Sequence, residues 1–340
     1  MSLKTFCVVF LILVPPFVFS QEGIPVYSDY LSDNLYLVHP AMAGASNANK
    51  IRLTARKQWF DVNNAPNLQT LNINFRSGEK SGLGSIVYKD ENGRFSQTGL
   101  YLTYAYHLLF SRDRTDLNML SFGMSASFIQ SNVDLRGLDD PSDPDPMILD
   151  RVQKDFYYNI DAGLSYNYLE WYAHVTVKNI LPTTRDIFDN DTPIKESNNL
   201  RKYIFSLGYL FGIGNTPWSL EPSTLYQVTE ETQESSIDAN LKVYRNFNFG
   251  TLWGGISYRR SLDGAEFSKD GVTVESQQLQ YITPFLGVNY KKWLVGYTYS
   301  YQSNSVVLSN GGFHQLTLGY DFGKRKERWD CKCPAVNTSN

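Results

Sequence analysis

Apolar and polar residues alternate with a period of two along most of the chain. One stretch places apolar or aromatic residues at Leu100, Leu102, Tyr104, Tyr106, Leu108 and Phe110. Thr103 and His107 lie between them, and the same alternation begins again near residues 171, 237 and 316. Successive side chains of a β-strand point to opposite faces of the sheet, so this pattern predicts strands with one apolar and one polar face.

Strands of this kind can be placed at fourteen positions, and no sustained helical period separates them. Their approximate centres are Thr54, Leu71, Ile86, Leu102, Ser125, Ala162, Val175, Leu207, Thr224, Asn240, Gly255, Ile282, Gly296 and Thr317. The sequence therefore predicts an all-β protein. Two architectures fit: a sandwich that buries the apolar faces, and a transmembrane antiparallel β-barrel that turns them toward lipid.

The connections between the predicted strands favour the barrel. Every second connection is mostly short, as at residues 77–81, 168–170, 214–216, 245–248 and 290–292. Several of the others are long, at residues 132–154, 180–199, 261–274 and 304–311. Bacterial barrels have an even number of strands, short periplasmic turns and longer extracellular loops. We therefore predict a barrel of about 14 strands whose two termini both lie in the periplasm.

The composition supports a wall with one apolar and one wet face. The chain has 23 Tyr, 20 Phe and 6 Trp, whereas charged residues make up only 19%. Its mean hydropathy of −0.33 is too polar for a bundle of membrane helices. The net charge of −3 gives no indication of nucleic-acid binding. We expect an integral protein of the bacterial outer membrane, in contact with its lipid.

The N-terminus indicates export. Lys4 precedes an apolar run that is too short to span a membrane, and the bond between Ser20 and Gln21 is a plausible cleavage point. The predicted organisation has four parts. They are a signal peptide at residues 1–20, a periplasmic N-terminal segment or plug at 21–49, the outer-membrane barrel at 50–322, and a periplasmic C-terminal tail at 323–340.

Several short motifs resemble one protein family. They are NLYLVHPAMAG at residues 34–44, RKQW at 56–59, AP at 65–66, QT at 69–70, GLG at 82–84 and LSFG at 120–123. Together they resemble the PorP/SprF family of type IX secretion system outer-membrane proteins from Bacteroidetes. The resemblance extends over nearly the whole mature chain and is most specific between residues 40 and 70. The chain departs from the usual family motif at His39 and Met42.

The resemblance implies an accessory role in secretion. Such a protein would bind or anchor exported proteins that carry a C-terminal sorting domain, and would contact the type IX translocon or its periplasmic ring. It also implies a link to adhesin export and gliding motility. The alternative is an outer-membrane porin or solute channel. The sequence predicts no enzyme and no cofactor, although a surface hydrolase built around His314 is a third hypothesis.

Candidate partner-binding residues lie first in the N-terminal segment. Tyr36, His39 and Pro40 belong to a stretch that is too apolar to hang free in the periplasm. This stretch could enter the lumen as a plug or dock a partner, or it could form a small cap on the barrel floor. A single histidine such as His39 is more often a packing residue than a ligand.

Two charged segments supply the other candidates. Asp139, Asp140 and Asp143 lie in a proline-rich loop that could hold Ca²⁺, although a solvated extracellular loop explains it better. Beyond the last strand the basic residues are Lys324, Arg325 and Arg328. They could bind an acidic partner or form a charge cluster at the rim. Cys331 and Cys333 follow, at a spacing poorly suited to a disulfide with each other.

Charged residues are also predicted on the lumen face of the strands. They are Arg52, Arg56, His174, Lys178, Asp238, Lys242 and Arg259. Such a set could line an ion-selective channel. Alternatively, the opposite charges pair across the lumen and keep it wet or closed, which we favour.

Overall fold

The computed structural model describes most of the predicted barrel and part of the segment that precedes it. The described residues are 34–58, 65–111, 116–136, 152–182, 201–230, 232–268, 274–303, 312–324 and 336. Within them no helix is long and apolar enough to cross a membrane.

Fourteen antiparallel strands form the wall in the described part of the chain. They are β1 (Ala48–Gln58), β2 (Asn67–Arg76), β3 (Ser81–Asn92), β4 (Phe95–Leu109), β5 (Asn118–Asp134), β6 (Val152–Tyr168), β7 (Trp171–Lys178), β8 (Lys202–Tyr209), β9 (Trp218–Thr229), β10 (Ser235–Phe247), β11 (Gly250–Ser268), β12 (Val274–Tyr290), β13 (Trp293–Gln302) and β14 (Phe313–Lys324). A short extension, Phe211–Gly212, continues β8 past Leu210 and pairs with β9.

Each strand pairs with the next one along the chain, and β14 pairs with β1. In that closing pair Leu53 lies opposite Leu318, and the hydroxyls of Thr54 and Thr317 are 3.2 Å apart. Closure leaves no unpaired sheet edge among the described strands, and a lipid environment would not tolerate such an edge. All fourteen predicted strand centres fall within these strands, so the prediction of a 14-stranded antiparallel barrel is confirmed.

The two faces of the wall differ as the alternation predicts. On β4, Leu102 is 50% exposed on the outside, whereas its neighbour Thr103 is 4% exposed on the inside. A soluble sandwich would bury Leu102, so the exposed apolar face excludes that alternative. On β5 the outward face is apolar from Leu120 to Phe128. The segment from Leu120 to Phe128 spans roughly 20 Å along the barrel axis, which is close to the height of the apolar band in outer-membrane barrels.

Aromatic side chains border this band near the short turns. Trp171 packs on Tyr209 with ring centroids 4.6 Å apart, and Trp293 packs on Tyr320 at 4.7 Å. Rings with an apolar body and a polar tip are most stable at the boundary between hydrocarbon and water. The band and its aromatic border therefore mark where the barrel crosses the membrane.

The longest connections lie on one rim, although three connections on that rim are short. We call the rim that carries the turns at 77–80, 169–170, 248–249 and 291–292 the short-turn rim, and the opposite one the long-loop rim. On the long-loop rim, Gly93 and Arg94 alone join β3 to β4, and five residues, 230–234, join β9 to β10. The long loop predicted at residues 261–274 is wrong, because β11 continues to Ser268 and β12 begins at Val274. Strand pairing continues there although the apolar pattern has ended, since a strand outside the membrane no longer needs an apolar face.

Candidate functional site in the barrel lumen

Residues 34–47, which we call the plug, lie inside the barrel against the inward faces of β4, β5 and β6. Two short 3-10 turns, Leu35–Leu37 and Pro40–Met42, fold the plug compactly. His39, Ala41 and Ala43 are each 0% exposed. An apolar segment of this kind is stable in the lumen because it buries its side chains against the wall.

The wall makes room for the plug with glycines on its inward face. A Cβ atom added at Gly123 of β5 would lie 2.3 Å from the backbone nitrogen of Ala41 and from the backbone carbon of Pro40. A Cβ atom added at Gly82 of β3 would lie 2.0 Å from the carbonyl oxygen of Ala43. Backbone atoms cannot give way at these distances, so the plug backbone can approach the wall only where a side chain is missing.

His39 is the central polar anchor of the plug. Its Nδ1 is 2.8 Å from the hydroxyl of Thr176 on β7, and its Nε2 is 2.7 Å from the hydroxyl of Ser206 on β8. A neutral imidazole has one donor and one acceptor nitrogen, and hydroxyls can serve both. Burial lowers the pKa of His39 well below its ordinary value, and the neighbouring His174 and Lys178 lower it further. The plug is therefore held by a neutral histidine.

Three further contacts join the plug to the wall. Tyr36 donates its hydroxyl hydrogen to Thr103 at 2.9 Å. A ring nitrogen of His107 lies 3.0 Å from the carbonyl oxygen of Ala43. The hydroxyl of Ser165 on β6 points at the Met42 sulfur at 3.1 Å. Polar contacts thus accompany the apolar packing and fix the plug in one position.

The C-terminal tail reaches the end of the plug. The carbonyl oxygen of Val336 accepts hydrogen bonds from the Asn47 backbone nitrogen at 2.8 Å and from the Ser46 hydroxyl at 3.0 Å. Val336 is 0% exposed and packs in the same apolar cluster as the plug. Residues close to both ends of the chain therefore meet at the point where the plug joins β1.

The charged residues predicted for the lumen lie on the inward face, and several form ion pairs. Arg52 contacts Asp321 at 2.7 Å, Arg259 contacts Asp238 at 2.7 Å, and Lys178 lies 3.7 Å from Asp161. Pairing of this kind offsets the cost of removing the charges from bulk water. The charges of Arg52, Lys178, Asp238 and Arg259 thus belong to structural ion pairs in the interior.

Aromatic residues fill the part of the lumen along β9 to β12. Glu221 is 1% exposed and accepts hydrogen bonds from the hydroxyls of Tyr172, at 2.6 Å, and Tyr244. The ammonium of Lys242 lies 4.2 Å from the ring centroid of Trp253. These large side chains occupy space that would be water in an open pore.

Replacing Asp238 by alanine is expected to lower the free energy of unfolding by about 3–5 kcal/mol, because it removes the carboxylate from a buried arginine pair. Urea unfolding of the barrel in lipid vesicles measures this change. Lys89 and Glu91 form an exposed pair at 2.6 Å and supply the control. Glu91→Ala should cost less than about 1 kcal/mol. Equal losses for the two variants would contradict the structural role of the buried pair.

The sequence-predicted site residues fall into three groups. Tyr36, His39 and Pro40 belong to the plug, and their side chains face the wall, so a partner could touch them only if the plug left the lumen. Lys324 is the last residue of β14, opposite Ala48. The others lie outside the described residues: Asp139, Asp140, Asp143, Arg325 and Arg328, and the cysteines Cys331 and Cys333.

The described residues give no geometry for a metal site, and His314 lies on the outer wall. No group of three or more His, Cys, Asp and Glu side chains among the described residues is arranged to hold a metal ion. His314 lies on β14 with its Nδ1 2.6 Å from the hydroxyl of Tyr297. Its surroundings also include the ring of Tyr299, 4.9 Å away, and form an aromatic surface on the outer wall.

The motifs at residues 34–44, 82–84 and 120–123 meet in space, although they are far apart in sequence. The first forms most of the plug, and the other two supply Gly82, Gly84 and Gly123 on the wall that faces it. The signal in the sequence is glycine at inward-facing strand positions, namely Gly82 and Gly84 on β3 and Gly123 on β5. Glycine weakens a strand, so a glycine on an inward face often marks the close approach of another backbone, as at Gly123, or of a large side chain, as at Gly84 beside Tyr36.

Comparison with known proteins identifies one family. A family model described as type IX secretion system membrane protein PorP/SprF matches residues 19–320. No curated protein matches the chain. The wall architecture and this match together make the protein an integral component of the outer membrane.

Solved structures with a similar course of the chain are outer-membrane barrels. The CymD monoaromatic hydrocarbon channel has 10% identity and a TM-score of 0.49, over 87% of this chain and 93% of that one. A Pseudomonas aeruginosa FadL homologue has 9% identity and a TM-score of 0.48, over 84% and 93%. CdiB from Acinetobacter baumannii has 8% identity and a TM-score of 0.40 over 82% of this chain, which spans 60% of its length.

Proposed function

Because the chain belongs to the PorP/SprF family of type IX secretion system membrane proteins, we propose that it binds exported proteins carrying a C-terminal sorting domain and anchors them at the cell surface. The exported proteins would cross the membrane through a different and larger channel. Adhesin export for gliding motility is the setting that the family suggests, in a bacterium of the Bacteroidetes.

The packed lumen is the observation that carries this proposal. The plug lies against β4 to β6, and aromatic side chains fill the interior along β9 to β12. A diffusion porin needs a water-filled passage. A barrel whose described inward side chains are mostly buried is better suited to be a rigid anchor than a conduit.

Cargo docking is assigned in this proposal to the long-loop rim. Two long connections, residues 135–151 and 179–201, lie there between neighbouring strands. Long loops of outer-membrane barrels are extracellular, which would place both termini on the periplasmic side. The acidic residues Asp139, Asp140 and Asp143 belong to the first of these loops. We propose that this loop contacts the sorting domain of the cargo.

The opposite rim is suited to a periplasmic partner. Lys324 ends β14 at the short-turn rim, and Arg325 and Arg328 follow it in sequence. A basic cluster attracts acidic surfaces over distances up to about the Debye length. We propose that this tail contacts the translocon or its periplasmic ring.

Replacing residues 138–150 by a short glycine-serine linker tests the cargo loop and leaves β5 and β6 intact. We expect cargo to move from the cell surface to the medium, which mass spectrometry of the two fractions would detect. The control variant replaces residues 304–311, which lie on the same rim, by the same kind of linker and should retain its cargo. Full retention of cargo by the first variant, at normal barrel levels, would reject the role of this loop.

A further inference from the structure

A polar depression of about 330 Å³ lies on the outer face of the wall near the long-loop rim, across β4, β5 and β6. Its lining includes three cationic side chains, one carboxylate and two amides: Arg94, Arg136, Lys154, Asp134, Gln130 and Asn132. These residues lie above the apolar band, where a barrel meets the headgroups of the lipid. Outward cations at this level face membrane lipid rather than the lumen.

The described side chains that line the depression carry an excess of positive charge. The guanidinium of Arg136 donates to both carboxylate oxygens of Asp134, at 2.9 and 2.7 Å, so the one carboxylate is already neutralised. Arg94 donates to the backbone carbonyls of Asp134 and Arg136. On the neighbouring β3, Lys89 and Glu91 pair with each other and add no net charge. Among the described residues, the charges of Arg94 and Lys154 therefore exceed those of the acidic groups that line the depression.

An apolar groove lies on the same outer face, closer to the middle of the membrane. Its volume is about 540 Å³, and its lining includes Leu83, Leu102, Tyr104, Met124 and Ala126. The small side chains of Ser85 and Ala126 are also part of it, among larger neighbours.

Strand register aligns the depression with the groove. Ser96, Asn132 and Lys154 form one row across β4, β5 and β6. Two rows further down Leu100, Phe128 and Tyr158 form an apolar row, and the groove follows below it. From Asn132 to Ala126 the distance along β5 is about 20 Å, or roughly 15 Å of membrane depth at the usual strand tilt. A cationic site at headgroup level thus lies above an apolar surface that leads to the groove.

We propose that this face binds a phosphorylated glycolipid of the lipid A class, with a phosphate in the cationic depression and an acyl chain in the groove. Arginine and lysine bind phosphate through charge-assisted hydrogen bonds, and the amides can add donors to the sugar. A zwitterionic phospholipid carries no net charge to match the excess. The choice of this lipid rests on the orientation given under the proposed function, since lipid A occupies the outer leaflet. The site itself is independent of cargo binding.

Native mass spectrometry of the full chain in detergent, titrated with lipid A, tests the proposal. Lys154→Gln removes one positive charge from the depression. An Arg94 variant would be harder to interpret, because Arg94 also donates hydrogen bonds to the backbone carbonyls of Asp134 and Arg136. We expect Lys154→Gln to weaken lipid A binding about tenfold through loss of a charge-assisted contact. Filling the groove with Ala126→Trp should also weaken binding. Arg260→Gln, which removes an outward arginine of β11 that contacts Gln278, is the matched control and should leave binding unchanged.

Competing ligands separate the possible sources of phosphate. Dephosphorylated lipid A and phosphatidylethanolamine should bind the wild-type protein at least about tenfold more weakly than lipid A. Phosphatidylglycerol binding as tightly as lipid A would overturn the glycolipid assignment. Inorganic phosphate binding with no contribution from the acyl chains would overturn the role of the groove. Unchanged lipid A binding by Lys154→Gln and Ala126→Trp would overturn the site. Retained cargo binding in these variants would leave the proposed function standing.

Discussion

A barrel that lacks residues 34–46 is expected to conduct ions at least ~10-fold better than the full chain in planar bilayers, because an emptied lumen of this width admits water. In the intact protein the plug rests on Gly82 and Gly123, and its contacts with Thr176, Ser206 and Thr103 hold it there. Single-channel recordings of both proteins at the same voltage measure the difference.

A point substitution gives the same test without shortening the chain. Gly123→Leu would drive a side chain into the backbone at Pro40 and Ala41, and overpacking of this kind costs about 1–3 kcal/mol or more. Met124→Leu is the matched control, because Met124 is the next residue and is 58% exposed on the outer wall. Equal conductance of the full chain, the deletion and Gly123→Leu would show that the plug does not obstruct the lumen.

Replacing His39 by leucine is expected to weaken plug docking by about 2–4 kcal/mol, because the hydroxyls of Thr176 and Ser206 lose their partner in a buried site. The rate at which a protease cleaves the N-terminal segment in detergent micelles measures docking. His39→Gln retains an amide donor and acceptor, and should restore most of the protection. His314→Leu is a control on the outer wall. Protection that is the same in His39→Leu and the wild type would contradict the anchoring role.

Docking should also depend on pH. The pKa of His39 is lowered in the docked plug, whereas in the released plug it is close to the ordinary value of about 6.5. Below about pH 6.5 the released plug therefore binds more protons than the docked plug. Docking is therefore complete above about pH 6.5 and weakens as the pH falls below it. Proteolysis at a series of pH values measures this effect, and His39→Gln should remove much of the dependence, since an amide does not titrate. A pH profile identical in the two proteins would assign the effect to other groups.

The wall could be predicted from sequence because each strand repeats one simple physical rule. Leu102 and Leu318 must face lipid, and Thr103 and Thr317 must face the interior, so the period of two is visible in the sequence. The same rule explains why a loop was wrongly predicted at residues 261–268, where β11 extends past the membrane. Beyond the lipid there is no demand for apolar side chains, and alternation gives no signal of pairing.

The position of the plug could not be predicted in the same way. The plug is held by contacts far apart in sequence, such as His39 with Ser206 and Ser46 with Val336. No periodic pattern encodes such pairs. The sequence showed that the segment was too apolar to be free and left open whether it entered the lumen. The glycines at 82 and 123 carry the missing information, and their meaning becomes clear only when the backbone of the plug is seen against them.

Affinity purification of the full chain from its native outer membrane, followed by mass spectrometry, tests the central claim most directly. The account predicts a stoichiometric large protein with a C-terminal sorting domain, or components of the secretion machine, bound to the barrel. If the barrel with residues 138–150 replaced no longer co-purifies with this partner, the partner binds at the long-loop rim. A solitary barrel that conducts ions without any change to its plug would contradict the account and identify the protein as a channel.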